Sequence, residues 1–205
     1  ERYIYLNPKV ELSSNEFKEA IKEITKRNIR GIDKDEKAVQ VAVFSIYLTL
    51  LDYQSPADIE TFKFPKLIDT IFFVADFFDL NAPYNDAIKA IKFDFIVGNP
   101  PWNGDKVSEI NGYLKSRRKQ EKILNKKYEA HVNNGEIAEA FILRTSDFCN
   151  ENTACSLIIR SSILYNKGYC GYSQFRSYFC EEFHIDKVFE LAPVRHELFD
   201  KSNGD

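Results

Sequence analysis

Methionine is absent from the 205 residues, cysteine is limited to four and tryptophan to one. A chain without methionine does not begin at an initiator residue, so the expectation is a stretch of a longer protein. Cys149, Cys155, Cys170 and Cys180 form no Cys-x-x-Cys pair and have no histidine at metal-ligand spacing. That argues against a zinc or other metal site and for free thiols in a reducing cytoplasm. Charge interrupts every apolar run well before the roughly 18 residues a membrane span needs, and no signal peptide is visible. A large excess of one sign is also missing: 28 basic residues against 31 acidic ones leave a formal net charge of -3. A polybasic protein is thereby excluded, although a local basic patch is not.

What is present suits one large domain with a sizeable core. Hydrophobic residues make up 44% of the chain, and 17 Phe and 11 Tyr supply large flat side chains. The spacing predicts an extended start and then a helix within residues 1–27, capped by Ser13 or Ser14, with Phe17, Ile21 and Ile24 on one face. Short apolar segments ending in a polar residue predict buried strands at 28–33 (NIRGID), 70–75 (TIFFVA) and 93–98 (FDFIVG). Further strands are predicted at 154–159 and 185–191, and helices at 36–51, 135–149 and 172–183. Strands alternating with helices imply an α/β fold with a doubly wound, mostly parallel sheet. Ligands of such sheets sit at the carboxyl ends of the strands, where Asp33, Asp76 and Asn99 collect here.

Asn99-Pro100-Pro101-Trp102 directly follows the third of these strands. With GIDKDEKAV, VADFF and FDFIVGNPPW in order at successive strand ends, residues 28–199 resemble the adenine-N6 DNA methyltransferases of bacterial restriction-modification systems. The resemblance implies a Rossmann-like fold that uses S-adenosylmethionine. It implies that the Asn99 side-chain oxygen and the Pro100 carbonyl accept from the two N–H bonds of the target amine. Delocalisation into the ring makes that nitrogen a poor nucleophile, and two acceptors favour a tetrahedral nitrogen with its lone pair aimed at the methyl group. Pro101 helps to fix the backbone, and Trp102 offers a stacking face for an extruded base. By the same match Asp33 accepts from the cofactor ribose and Asp76 from its adenine amino group. Phe77 and Phe141 are candidate walls around that adenine, Phe141 being equally readable as a core residue.

The family's Gly-rich first motif has no counterpart among the eight glycines, none of which forms Gly-x-Gly. The expectation is that this motif and its strand, the central one between the second and fourth, precede Glu1, with residues 3–6 a candidate to fill part of the gap. A target-recognition domain is expected after Asp205, and Phe199 is a candidate for the second wall of the base pocket. Residues 115–127 (KSRRKQEKILNKK) carry Lys115, Arg117, Arg118, Lys119, Lys122, Lys126 and Lys127 against one acid, Glu121. They read either as a phosphate grip beside the flipped base or as a solvated helix face. Lys106 and Arg160 are candidates to add to the same field. His131, His184 and His196 read as surface or core-edge residues.

The whole is expected to be a partial methyltransferase catalytic domain over residues 1–205. Its parts are a lead-in (1–27), cofactor-side strands (28–98), a catalytic loop with a basic insertion (99–134) and a C-terminal part (135–205). Its expected partner is double-stranded DNA with a flipped adenine, alongside a restriction or specificity subunit or domain, and no membrane. Methylation of RNA or of protein glutamine by a related Asn-Pro-Pro-aromatic enzyme is the alternative. A non-catalytic DNA-binding piece is the second.

Overall fold

A computed structural model describes residues 2–54, 56–57, 59–60, 62–101, 108–133, 136–165, 170–194 and 197. The chain divides into two compact units, Glu1–Ile91 and Lys92–Asp205.

The first unit opens with a helical turn, α1 (Arg2–Leu6), and not with the extended lead-in that the sequence predicts. One turn places Tyr3 and Ile4 together against the cluster of Phe17, Ile21 and Leu50, and Asn7 ties its end by donating to the Tyr3 carbonyl. Residues 3–6 therefore add no strand. Helix α2 (Asn15–Asn28) is capped by Ser14, whose hydroxyl accepts from the Phe17 amide at 3.2 Å. Glu16 in its first turn and Lys26 and Arg27 in its last oppose the helix dipole.

Strand β1 (Gly31–Asp33) leads into α3 (Glu36–Leu51), capped by Asp35, and pairs in parallel with β2 (Phe72–Val74). Gly31 stands opposite Phe72, and a Cβ there would fall 2.5 Å from the phenyl ring, so the close approach requires glycine. Val39 and Val43 of α3 pack on Leu67, Ile71 and Phe72 to form the core beneath this pair. A short helix, α4 (Tyr84–Ile88), follows, with the Tyr84 hydroxyl donating to the Phe77 carbonyl at 2.6 Å.

In the second unit β3 (Phe95–Gly98) pairs in parallel with β4 (Ala154–Leu157). Between them run α5 (Ser108–Ile123) and α6 (Ile137–Ser146); α7 (Ser162–Tyr165) and α8 (Cys170–Glu182) follow. Leu114, Leu143, Ile163, Phe175 and Tyr178 are buried in its core.

Parallel strands joined through helices make the fold α/β. Among the described residues the strands pair as β1-β2 in the first unit and β3-β4 in the second. The central strand that would continue either pair is not among the described residues. Nor is there a strand at 185–191, which carries no regular structure before a 3-10 turn at Ala192–Val194. An apolar, β-branched segment becomes a strand only against a partner edge, and Val188 and Phe189 here remain exposed. Among the described residues no helix is long and apolar enough to cross a membrane.

Candidate active site

The polar ends of β1 and β2 are brought together by their parallel register. The Ala75 amide donates to the Asp33 carbonyl at 3.0 Å, and Lys34 Nζ lies 3.2 Å from Asp76 Oδ2. Each carboxylate also shapes its own turn. Asp33 Oδ1 accepts from the Asp35 amide and Asp76 Oδ1 from the Phe78 amide, both at 2.8 Å. Such Asx turns reverse the chain immediately after the strand and leave Asp33 exposed at its tip. Phe77, next to Asp76, is half-buried, with its ring stacked on Tyr84 at 6.5 Å between centroids. Beside Asp33 an open cleft of about 160 Å³ runs between Gly31, Ile32 and Phe72 on the strands and Ala38, Val39 and Ala42 on α3.

In the second unit Asn99 follows β3 directly and is exposed, while Pro100 is buried and Pro101 exposed. Strand pairing fixes the backbone just before it: the Ile158 amide donates to the Gly98 carbonyl at 3.0 Å. A Cβ on Gly98 would lie 3.0 Å from Leu157 Cδ2, so the strand end is closely packed where the tetrapeptide leaves it. Trp102 lies outside the described residues, as do Lys106, His196 and Phe199. Phe141 is half-buried on α6 between the buried Ala140 and Ile142.

The basic stretch is helical as far as Ile123, and it sorts its cations by face. Lys115, Lys119 and Lys122 are exposed; Lys122 is 3.5 Å from Glu129. Lys126 and Lys127 pair with Glu182 and Glu181 on α8. Arg118 is half-buried and donates to the Ala130 carbonyl at 2.7 Å.

Arg117, which the sequence reads as a phosphate contact or part of a solvated face, turns inward. Its side chain is only 14% exposed, and its guanidinium serves Glu121 at 3.0 Å, Tyr178 at 2.7 Å, the Leu143 carbonyl at 2.7 Å and Asp147 at 2.5 Å. Burial weakens its hold on a proton, but Tyr113, Asp147 and Tyr178 more than offset this and raise its pKa. A guanidinium that is largely buried and bonded to so many internal acceptors joins α5, α6 and α8 rather than facing solvent.

Two buried carboxylates escape a reading of the sequence. Glu121 accepts from Arg117, from Tyr178 at 2.7 Å and from the Ala130 amide at 2.7 Å. Its one sequence signal is to be the lone acid of a basic run, four residues after an arginine. Glu139 on α6 is 0% exposed and accepts from the Asn133 amide and side chain at 2.8 and 2.9 Å. Burial pushes its carboxyl up to about 7 despite those two bonds. His131 moves the other way, lowered by burial and by Arg118.

A family model described as Eco57I restriction-modification methylase matches residues 27–198. No curated protein matches the chain.

Proposed function

The chain belongs to the Eco57I restriction-modification methylase family, and from that premise we propose that it transfers a methyl group from S-adenosylmethionine to the N6 amino group of adenine in DNA. The observation that carries the reading is Asn99, exposed at the end of β3, with Pro100 buried behind it. Close packing of the strand end at Gly98 fixes the backbone from which Asn99 projects, and a fixed backbone is what positions a transition-state acceptor.

Asn99 Oδ1 and the Pro100 carbonyl would accept from the two amine hydrogens and so turn the nitrogen lone pair outward. No proton has to leave before the nitrogen attacks; the acceptors stabilise the positive charge that grows on it. Trp102 would stack on the extruded base, which restrains its rotation. The bound cofactor would supply an electrophilic methyl on a sulfonium.

The residues present fit its adenosine end. Asp33 offers an exposed carboxylate with one oxygen already oriented by a turn, Asp76 stands at the adjacent strand end, and Phe77 supplies a half-buried ring beside it. Family likeness makes Phe141 a further proposed cofactor contact. Lys115, Lys119 and Lys122 would hold DNA phosphates, which position the duplex without reading its sequence. A restriction or specificity partner completes the proposed assembly.

The test is Asn99→Ala in the full-length enzyme. Loss of one positioned acceptor should lower the methylation rate by about a hundredfold or more. Cofactor affinity, measured by calorimetry, should stay within a few-fold. Turnover above roughly a tenth of wild type would remove Asn99 from the mechanism.

A further inference from the structure

The carboxyl end of β4 adjoins the residues proposed to meet the target amine. Parallel register sets Gly98 opposite Leu157, and the Ile158 amide donates to the Gly98 carbonyl at 3.0 Å. Asn99 therefore leaves the sheet next to Ile158, and Arg160 follows Ile158 by two residues and is exposed. The backbone that carries Arg160 is fixed. The Ile163 amide donates to the Arg160 carbonyl at 3.4 Å, and the Leu164 and Tyr165 amides donate to the Ser161 carbonyl at 2.9 and 3.3 Å. Ile163 is buried, and Arg176 on α8 donates to its carbonyl at 3.3 Å beside the buried Phe175. An exposed guanidinium thus stands on an anchored strand end, one strand over from Asn99.

We propose that Arg160 binds a phosphate flanking the extruded adenine and so acts as a positioning residue for methyl transfer; this rests on the role of Asn99 in the proposed reaction. An adenine that leaves the duplex swings about its own sugar-phosphate backbone, which carries its flanking phosphates to the rim of the site. Those phosphates are the anions nearest the reacting base. The length of the nucleotide separates them from the amino nitrogen, so their partner belongs on a neighbouring strand end and not among the groups that touch the amine. A guanidinium suits them, because its planar fork meets two phosphate oxygens at once and keeps its charge at every working pH. Lys115, Lys119 and Lys122 are flexible point charges on a solvent-facing side of α5 and supply a field that attracts the duplex. Arg160, held by the turn into α7, supplies a located contact instead. Fixing one flanking phosphate limits the rotation of the extruded nucleotide and so narrows the range of its amine positions in front of Asn99.

The experiment uses the full-length enzyme and a duplex carrying its site, which is read from the methylated adenines in DNA of the cells that express it. A neutral methylphosphonate replaces each of the two phosphates flanking the target adenine in turn, and affinity is measured for wild type and for Arg160→Gln. In wild type one of the two replacements should weaken binding by about tenfold or more, as loss of a charged hydrogen bond does. In Arg160→Gln the same replacement should cost less than about twofold, because the partner is already gone. The variant should also lose about one unit from the slope of log affinity against log salt. With 2-aminopurine in place of the target adenine, its fluorescence rise on binding should be smaller than that of wild type. Should the glutamine variant fail to fold, Arg160→Lys keeps the charge without the fork and should reduce the methylphosphonate effect in the same way. Equal losses in wild type and variant, or no loss in wild type at either phosphate, would overturn the assignment of Arg160 while leaving Asn99 in place. Cellular DNA without methylated adenine would overturn the role of Asn99, and that of Arg160 with it.

Discussion

Glu139 shows how much a single buried group can govern. Its neighbours Ala138, Ala140 and Leu143 are buried with it, and Asn133 supplies the two donors to its carboxylate. The carboxyl ordinarily titrates at 4.5 and is pushed up to about 7 in the fold. The native state therefore keeps a proton that the unfolded chain has lost between those values. The associated stability is fully present below 4.5 and is lost as the pH rises through about 7. Glu139→Gln removes the titration and retains one acceptor for Asn133. Chemical denaturation from pH 4 to 8 should show wild type losing about 1–3 kcal/mol relative to the variant as the pH rises. Parallel pH profiles would mean that Glu139 carries no such charge cost.

Helix α5 is the element on which a charge pattern divides into two functions. Lys115, Lys119 and Lys122 stand at spacings of four and three and so share one solvent-facing side, whereas Tyr113, Leu114, Arg117 and Glu121 lie toward the core. Replacing the three lysines with glutamine should weaken DNA binding and make log affinity against log salt shallower by up to about 2–3 units. Stability should change by less than about 0.5 kcal/mol. Arg117→Met should do the reverse, costing about 3–5 kcal/mol by leaving Glu121 and Asp147 without their buried partner. Filter-binding across a salt series and urea unfolding separate the two. A flattened salt slope in the Arg117 variant with unchanged stability would reverse the division. Arginine and lysine look alike in a sequence run. Which of them turns inward was not legible there, because Tyr178 and Leu143, which hold Arg117, come from elements 61 and 26 residues away.

At the scale of the molecule, each unit has its own buried cluster and its own two-stranded parallel sheet, and each leaves apolar surface open. On α3 the side opposite the core shows Val41, Phe44 and Leu48, with Phe44 61% exposed; on β3 Phe95 and Val97 stand out, the latter at 80%. Parallel sheets are ordinarily covered on both faces, and unpaired strand edges recruit other chains. The 205-residue chain purified by itself should therefore self-associate, its weight-average mass in sedimentation equilibrium rising with concentration across the micromolar range. A concentration-independent monomer would show that these surfaces are already satisfied.

By itself the sequence determined the elements whose causes are local. Helix α3 occupies residues 36–51 as its apolar spacing predicts, and Ser14 caps α2 where a serine was expected. Strands β1 to β4 lie inside the predicted segments, each a short apolar run that ends in turn-forming polar residues. The placement of Asp33 and Asp76 at one pair of strand ends, and of Asn99 after another strand, was legible for the same reason. Only the tertiary structure decided what depends on a distant partner. The lead-in became α1 because Tyr3 and Ile4 pack on Phe17. The segment at 185–191 stayed unpaired for want of a neighbouring edge among the described residues. Arg117, Glu121 and Glu139 became interior groups because the chain returns around them with hydrogen bonds, and burial of a charge is determined by the partners that fold over it.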